Sequence, residues 1–128
     1  MKRTIETEAA PAAVGAYSQA TATDDLVFTA GQIPLTPDGD LLDHAAIDVQ
    51  TQQALENVAA VLEAAGASLD DVLKVTVYMT DVEEFETMNS AYESFFEAAP
   101  PARSAVEVAA LPKDVDVEIE AIATISEE

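Results

Sequence analysis

Two stretches of strict alternation constrain this chain more than any other feature. Leu73, Val75, Val77 and Met79 alternate with Lys74, Thr76, Tyr78 and Thr80. A period of two sends successive side chains to opposite faces, which predicts a strand with one buried face. From Val115 to Ile125, residues Val117, Ile119, Ala121, Ala123 and Ile125 form a second apolar set, with Glu118 and Glu120 on the other face. Two half-buried strands need a layer over their apolar side, and two helical patterns supply it. Leu55, Val58, Leu62 and Ala65 recur at helical spacing between Asp48, the predicted N-cap, and Gly66, the predicted C′ residue. A second helix is predicted behind the cap Asp81, with the stripe Phe85, Met88, Tyr92 and Phe95, closed by Pro100-Pro101.

The remaining residues complete the sheet. Thr4 to Glu8 is β-compatible, and Tyr17–Ala20 and Leu26–Ala30 read as strands around an Asp24-Asp25 turn. Gly31-Gln32-Ile33-Pro34 interrupts the second of these, and Pro37-Asp38-Gly39-Asp40 is a turn. Ser68-Leu69-Asp70-Asp71 reads as a capped turn leading into the first alternating strand. In Arg103 to Ala109, Ser104, Val106 and Val108 lie on one side, and Arg103, Ala105 and Glu107 on the other. Leu111-Pro112-Lys113-Asp114 turns the chain into the last strand. The expectation is one α+β domain over residues 1–128, a single sheet with two helices packed on one face. The other face has no helical cover, and the alternation assigns it charged residues such as Arg103 and Glu118. Oligomerisation through that face is the expected solution.

Charge narrows the function. Lys+Arg 5 against Asp+Glu 25 gives 5 − 25 = −20, a surface that repels phosphate backbones and anionic lipids. Neither nucleic acid nor membrane is an expected partner, and no apolar run approaches the roughly 18 residues of a membrane span. There is no Cys and only one His, which removes thiolate nucleophiles and Cys-based zinc sites. With no apolar signal-peptide stretch, the cytoplasm is the expected location. The acids are spread along the chain rather than gathered in a block, which favours a salt-accumulating cytoplasm over a docking surface for a basic partner.

Few side chains are then left to carry chemistry. Arg103 sits inside a predicted strand, where a guanidinium needs an anion: a salt bridge to Glu107, Glu118 or Glu120, or a bound carboxylate. Glu118 or Glu120 could act as a general acid or base, or be a solvated acid. Tyr17 is a packed aromatic or a pocket wall. Asn89, unfavourable inside a helix, suggests a hydrogen-bonding role. His44 reads as a surface residue.

These residues also carry a family resemblance. Six blocks occur in order: Ala16-Tyr17-Ser18-Gln19-Ala20; Thr29-Ala30-Gly31-Gln32-Ile33-Pro34; Asn57-Val58 with Ala64-Ala65-Gly66; Asn89 through Phe96; Pro101-Ala102-Arg103-Ser104; and Leu111 through Asp114 with Glu118-Ile119-Glu120-Ala121. Together they resemble the reactive-intermediate deaminase (Rid) family, RidA/YjgF type, nearly end to end. The resemblance implies a chorismate-mutase-like fold with a mixed sheet, assembled as a homotrimer with clefts between subunits. It implies hydrolysis of 2-imino or 2-enamino acids, such as 2-iminobutanoate and 2-iminopropanoate, to 2-keto acids and ammonia, without metal or organic cofactor. The alternative within the same family is a non-catalytic sensor or chaperone-like protein that binds a small carboxylate. Carried over, Arg103 grips the substrate carboxylate and Glu118 handles the attacking water. Tyr17 lines the cleft from a neighbouring subunit, and Asn89, Ala30, Gly31 and Ala105 shape the pocket. The chain departs from the pattern at Ala105, where a Cys is usual, and at Ala30, where many members have Ser.

Overall fold

The computed structural model describes residues 1–125. Six strands, β1 (Arg3–Ile5), β2 (Ala20–Ala22), β3 (Leu26–Thr29), β4 (Val72–Met79), β5 (Ala102–Glu107) and β6 (Val117–Thr124), form one sheet in the order β1-β2-β3-β6-β4-β5. Every pairing is antiparallel except β4 with β5, so the sheet is mixed. Helices α1 (Ile47–Ala64) and α2 (Phe85–Glu93) cover one face, as expected.

The core lies between sheet and helices. Leu55, Val58, Val61 and Leu62 of α1 are fully buried against Val75, Val77, Val117, Ile119 and Ala123. Burial of each large aliphatic side chain contributes about 1.5–3 kcal/mol. Gly66 ends α1 at φ +92°, while Ala67 N donates back to Leu62 O at 2.9 Å. A glycine tolerates that left-handed conformation at no Cβ cost. The Ser68–Asp71 turn is closed by the Asp71 carboxylate, which accepts from Ser68 N at 3.0 Å.

Several local expectations shift. The N-cap of α1 is Ala46, with no side-chain bond, because Ile47 is already helical and buried. Asp48 sits inside the first turn, where its charge still suits the helix dipole. In β4 the alternation holds from Val75 to Met79, but an irregularity between Val72 and Lys74 turns Val72 inward and leaves Leu73 exposed. Tyr17–Gln19 is loop, and β2 begins only at Ala20. Asp81 caps the 3₁₀ turn Val82–Glu84 that feeds α2, accepting from Glu83 N at 3.0 Å. Helix α2 stops at Glu93, well before Pro100, so Phe96 rather than Phe95 is the buried one, its ring 4.8 Å from that of Tyr92.

Candidate active site

Strand β5 is an edge strand, and its register decides where Arg103 points. Arg103 lies opposite Val75, and Ala105 opposite Val77. Both side chains therefore share the helix-covered face, which corrects the expectation that Arg103 occupies the open one. Above it, Phe85, Asn89 and Tyr92 fall on one side of α2 at helical spacing. The guanidinium carbon is 4.6 Å from the Tyr92 ring centroid and 5.2 Å from that of Phe85, cation–π contacts worth about 0.5–2 kcal/mol. Nη1 donates to Asn89 Oδ1 at 2.7 Å, and Asn89 Nδ2 donates to Glu93 Oε2 at 2.9 Å. The hydrogen-bonding role expected of Asn89 is thus to hold Arg103.

No carboxylate among the described residues pairs with this guanidinium. Among the described residues the only side-chain ion contact is His44 with Asp43, at 3.6 Å on the surface. Glu107 accepts instead from Val82 N at 2.8 Å, and Glu120 from the Tyr78 hydroxyl at 3.1 Å. The salt-bridge reading of Arg103 therefore fails. The Tyr92 hydroxyl is buried without a hydrogen-bond partner among the described residues. Burial pushes its pKa up, against an opposing pull from the Arg103 charge.

Glu118 belongs to the opposite face. It stands across from Tyr78 on β4, one position out of phase with the buried Val117 and Ile119. Gln32 pairs with Ile119 in both directions, at 2.8 and 3.0 Å, and so lays the Gly31–Pro34 segment along β6. This brings Gly31 under the Glu118 carboxyl group, in the space that a Cβ at position 31 would fill. Glu118 is half-buried, and burial holds its pKa above the ordinary carboxylate value. The charge of Glu120 pushes the same way.

The site residues thus fall into separate groups. Arg103, Asn89 and Ala105 come together beneath α2, and Gly31 and Glu118 at the junction of β3 and β6. Ala30 is tied to the second group, its N–H donating to Gln19 O at 2.8 Å. Tyr17 is exposed on a loop of its own. One organising residue escaped the sequence reading. Gln19 is buried, accepts from Thr7 N at 2.7 Å and donates to Pro11 O at 2.7 Å, pinning the loop that carries Tyr17. A lone Gln within a predicted strand carries no periodic signal that would reveal this. Among the described residues no group of three or more His, Asp or Glu side chains could hold a metal, and no helix is long and apolar enough to cross a membrane.

The same framework occurs in known proteins. The model of the family described as endoribonuclease L-PSP matches residues 7–125. The chain belongs to that family. Its relatives identify it more narrowly as a Rid protein of the RidA/YjgF type. A RutC family protein of Pyrococcus horikoshii is 53% identical over 96% of this chain and 98% of its own length. The 2-iminobutanoate/2-iminopropanoate deaminase of Escherichia coli is 49% identical over 96% and 98%. The crystal structure of E. coli TdcF with bound serine superposes with a TM-score of 0.92 at 47% identity, covering 97% of this Rid chain and 99% of TdcF.

Proposed function

We propose that this Rid protein hydrolyses reactive 2-imino and 2-enamino acids, 2-iminobutanoate and 2-iminopropanoate among them, to 2-keto acids and ammonia. One observation carries the reading. In a chain with 25 acids, Arg103 keeps a half-buried guanidinium with no carboxylate partner among the described residues. Such a cation is costly to bury alone, and its planar fork suits bidentate capture of a substrate carboxylate. A relative named as a deaminase and a structural neighbour with bound serine support the same substrate class.

In this reading Arg103 holds the carboxylate while Asn89 and Ala105 shape its surroundings. A 2-enamino acid first gains a proton at C3 to become the iminium, the protonated imine. Glu118 takes a proton from water as the oxygen bonds to C2 and the C=N pair moves to nitrogen, giving a neutral carbinolamine. Glu118 returns that proton to nitrogen. The C–N pair then leaves with ammonia as the oxygen forms the C=O bond, and the hydroxyl proton passes to Glu118 and on to solvent, freeing the keto acid. Because an imine is already electrophilic, orientation plus one acid–base group, about 10²–10⁴-fold, suffices.

Arg103 and Glu118 project from opposite faces of one sheet, so the reading builds each site from two subunits of a homotrimer. Arg103, Asn89 and Ala105 come from one subunit; Glu118, Gly31, Ala30 and Tyr17 come from its neighbour. No cofactor enters this chemistry, and a cytoplasmic setting suits substrates released by amino-acid-processing enzymes. RNA cleavage, suggested by the family's description, is disfavoured by the −20 charge.

The test generates the imine in situ with a threonine dehydratase or amino-acid oxidase and follows its loss against the uncatalysed rate. No acceleration by the wild type sinks the proposal. The raised pKa of Glu118 adds a signature. A base works only when ionised, so kcat/KM rises with pH through a value above the usual carboxylate range. Glu118→Gln is expected to abolish that limb and lower the rate about 10²-fold. A non-catalytic binder would instead keep its affinity and function in this variant. The fold is expected to survive, because a raised acid pKa means stability is greatest below the unfolded pKa and falls as pH rises through the folded one. The Gln variant is spared that loss near neutral pH.

Gly31→Ala gives a second check. The three atoms nearest the added Cβ are all in the flexible Glu118 side chain, Oε2, Cδ and Cγ, so the backbone is expected to stay in place while that side chain swings away. Activity is expected to drop about as far as in Glu118→Gln, with an unfolding midpoint equal to or above that of the wild type.

A further inference from the structure

We propose that Glu93 is a positioning residue for Arg103, acting through Asn89; the inference rests on the carboxylate-binding role proposed above. The three side chains form a relay in which hydrogen-bond polarity is forced. A carboxylate only accepts, a guanidinium only donates, and an amide does each at one end. Asn89 gives its Nδ2 to Glu93 at 2.9 Å and its Oδ1 to Arg103 at 2.7 Å. Glu93 thereby selects the amide orientation. Were the amide reversed, Nδ2 would face Nη1, donor against donor, and the guanidinium would lose its anchor over Phe85 and Tyr92. Asn89 and Glu93 lie on one face of α2 at i and i+4, with Glu93 as the helix's last residue. Glu93 itself is exposed and contributes nothing to the core.

The relay makes a prediction opposite in sign to simple electrostatics. In a protein of charge −20, removing an acid near an anion site should tighten carboxylate binding. The relay predicts weaker binding. Calorimetric titration with 2-oxobutanoate in molar KCl is the measurement. Glu93→Gln keeps an acceptor and is expected to bind as the wild type does. Glu93→Ala is expected to bind about threefold to tenfold more weakly, the lower part of the range of couplings within one hydrogen-bonded network. Glu93→Lys, which offers Asn89 a donor, is expected to be the weakest of the three. All three should unfold near the wild-type midpoint.

Binding as tight as wild type, or tighter, in Glu93→Ala and Glu93→Lys overturns the relay and leaves the role of Arg103 standing, provided Arg103→Ala abolishes binding. Equal binding by wild type and Arg103→Ala overturns both. NMR of the Asn89 side-chain amide reads the relay without any ligand. Its Nδ2 protons should be held in the wild type and Glu93→Gln and released in Glu93→Ala; identical signals in all three overturn it.

Discussion

Arg103→Ala is expected, on the proposed reading, to lower kcat/KM for imine hydrolysis about a hundredfold to ten-thousandfold, because it would delete two charge-assisted hydrogen bonds to the carboxylate, each worth about 1.5–3 kcal/mol. The fold is expected to persist. Arg103 has no ionic partner among the described residues, so its removal leaves no carboxylate stranded, and what is lost is the cation–π contact with Phe85 and Tyr92 and the hydrogen bond to Asn89. Arg103→Lys keeps the charge without the planar fork and is expected to recover only a small part of the rate. The opposed faces of Arg103 and Glu118 make a sharper experiment available. Arg103→Ala and Glu118→Gln are each expected to be nearly inactive alone. Unfolded together and refolded as a mixture, they would form, in the proposed homotrimer, mixed trimers in which some interfaces combine the intact Arg103 of one variant with the intact Glu118 of the other. With random mixing, about a quarter of the interfaces are restored. Recovery to roughly that fraction of wild-type activity is the expected result. A mixture no more active than its components would mean that both residues act within one chain, or not in one site at all.

The sheet and its helical cover were readable because alternation and helical spacing directly express burial. Val117, Ile119, Ala121 and Ala123 all lie where their period put them. The failures occur where burial ceases to be periodic. At Val72 a local irregularity shifts the phase, and no composition signal precedes it. In β5, pattern alone separates Arg103 and Ala105 from Ser104 and Val106 but cannot say which set meets the helices. Apolarity would send Val106 inward. The register with β4 sends Arg103 there instead, and the aromatic faces of α2 make that position acceptable. Buried amides are the other blind spot. Gln50 donates to Asp116 Oδ2 at 3.0 Å and accepts from Asp116 N at 2.9 Å, across a long stretch of chain. Nothing local to Gln50 announces that partner. The chemistry-bearing residues were legible as residue types, above all one arginine in an acidic chain. Their division between two faces was not, because it depends on which strands are neighbours.

The unfolding midpoint is expected to rise by about 10 °C or more between 0.1 M and 2 M KCl, roughly the effect of 2–3 kcal/mol on a domain of this size. The acids stand close along the chain, as at Asp24-Asp25 and Glu83-Glu84, and these four residues are exposed. Among the described residues no Lys or Arg side chain forms an ion pair with them. Each protomer therefore carries its −20 largely uncompensated, and a trimer would bring three such charges together. At 0.1 M salt the Debye length is about 10 Å, long enough for neighbouring carboxylates to repel; at 1 M it is about 3 Å and most of that repulsion is screened. The interior is ordinary by contrast, with aliphatic side chains filling the space between sheet and helices, so the salt effect must originate at the surface. Substituting four exposed acids other than Glu93 and Glu118, such as Glu56, Glu63, Asp24 and Asp40, by Asn or Gln should flatten the salt dependence without changing the midpoint at 2 M. If the wild type is most stable in dilute buffer, the acidity serves instead as a docking surface for a basic partner, and the same four substitutions would weaken that association.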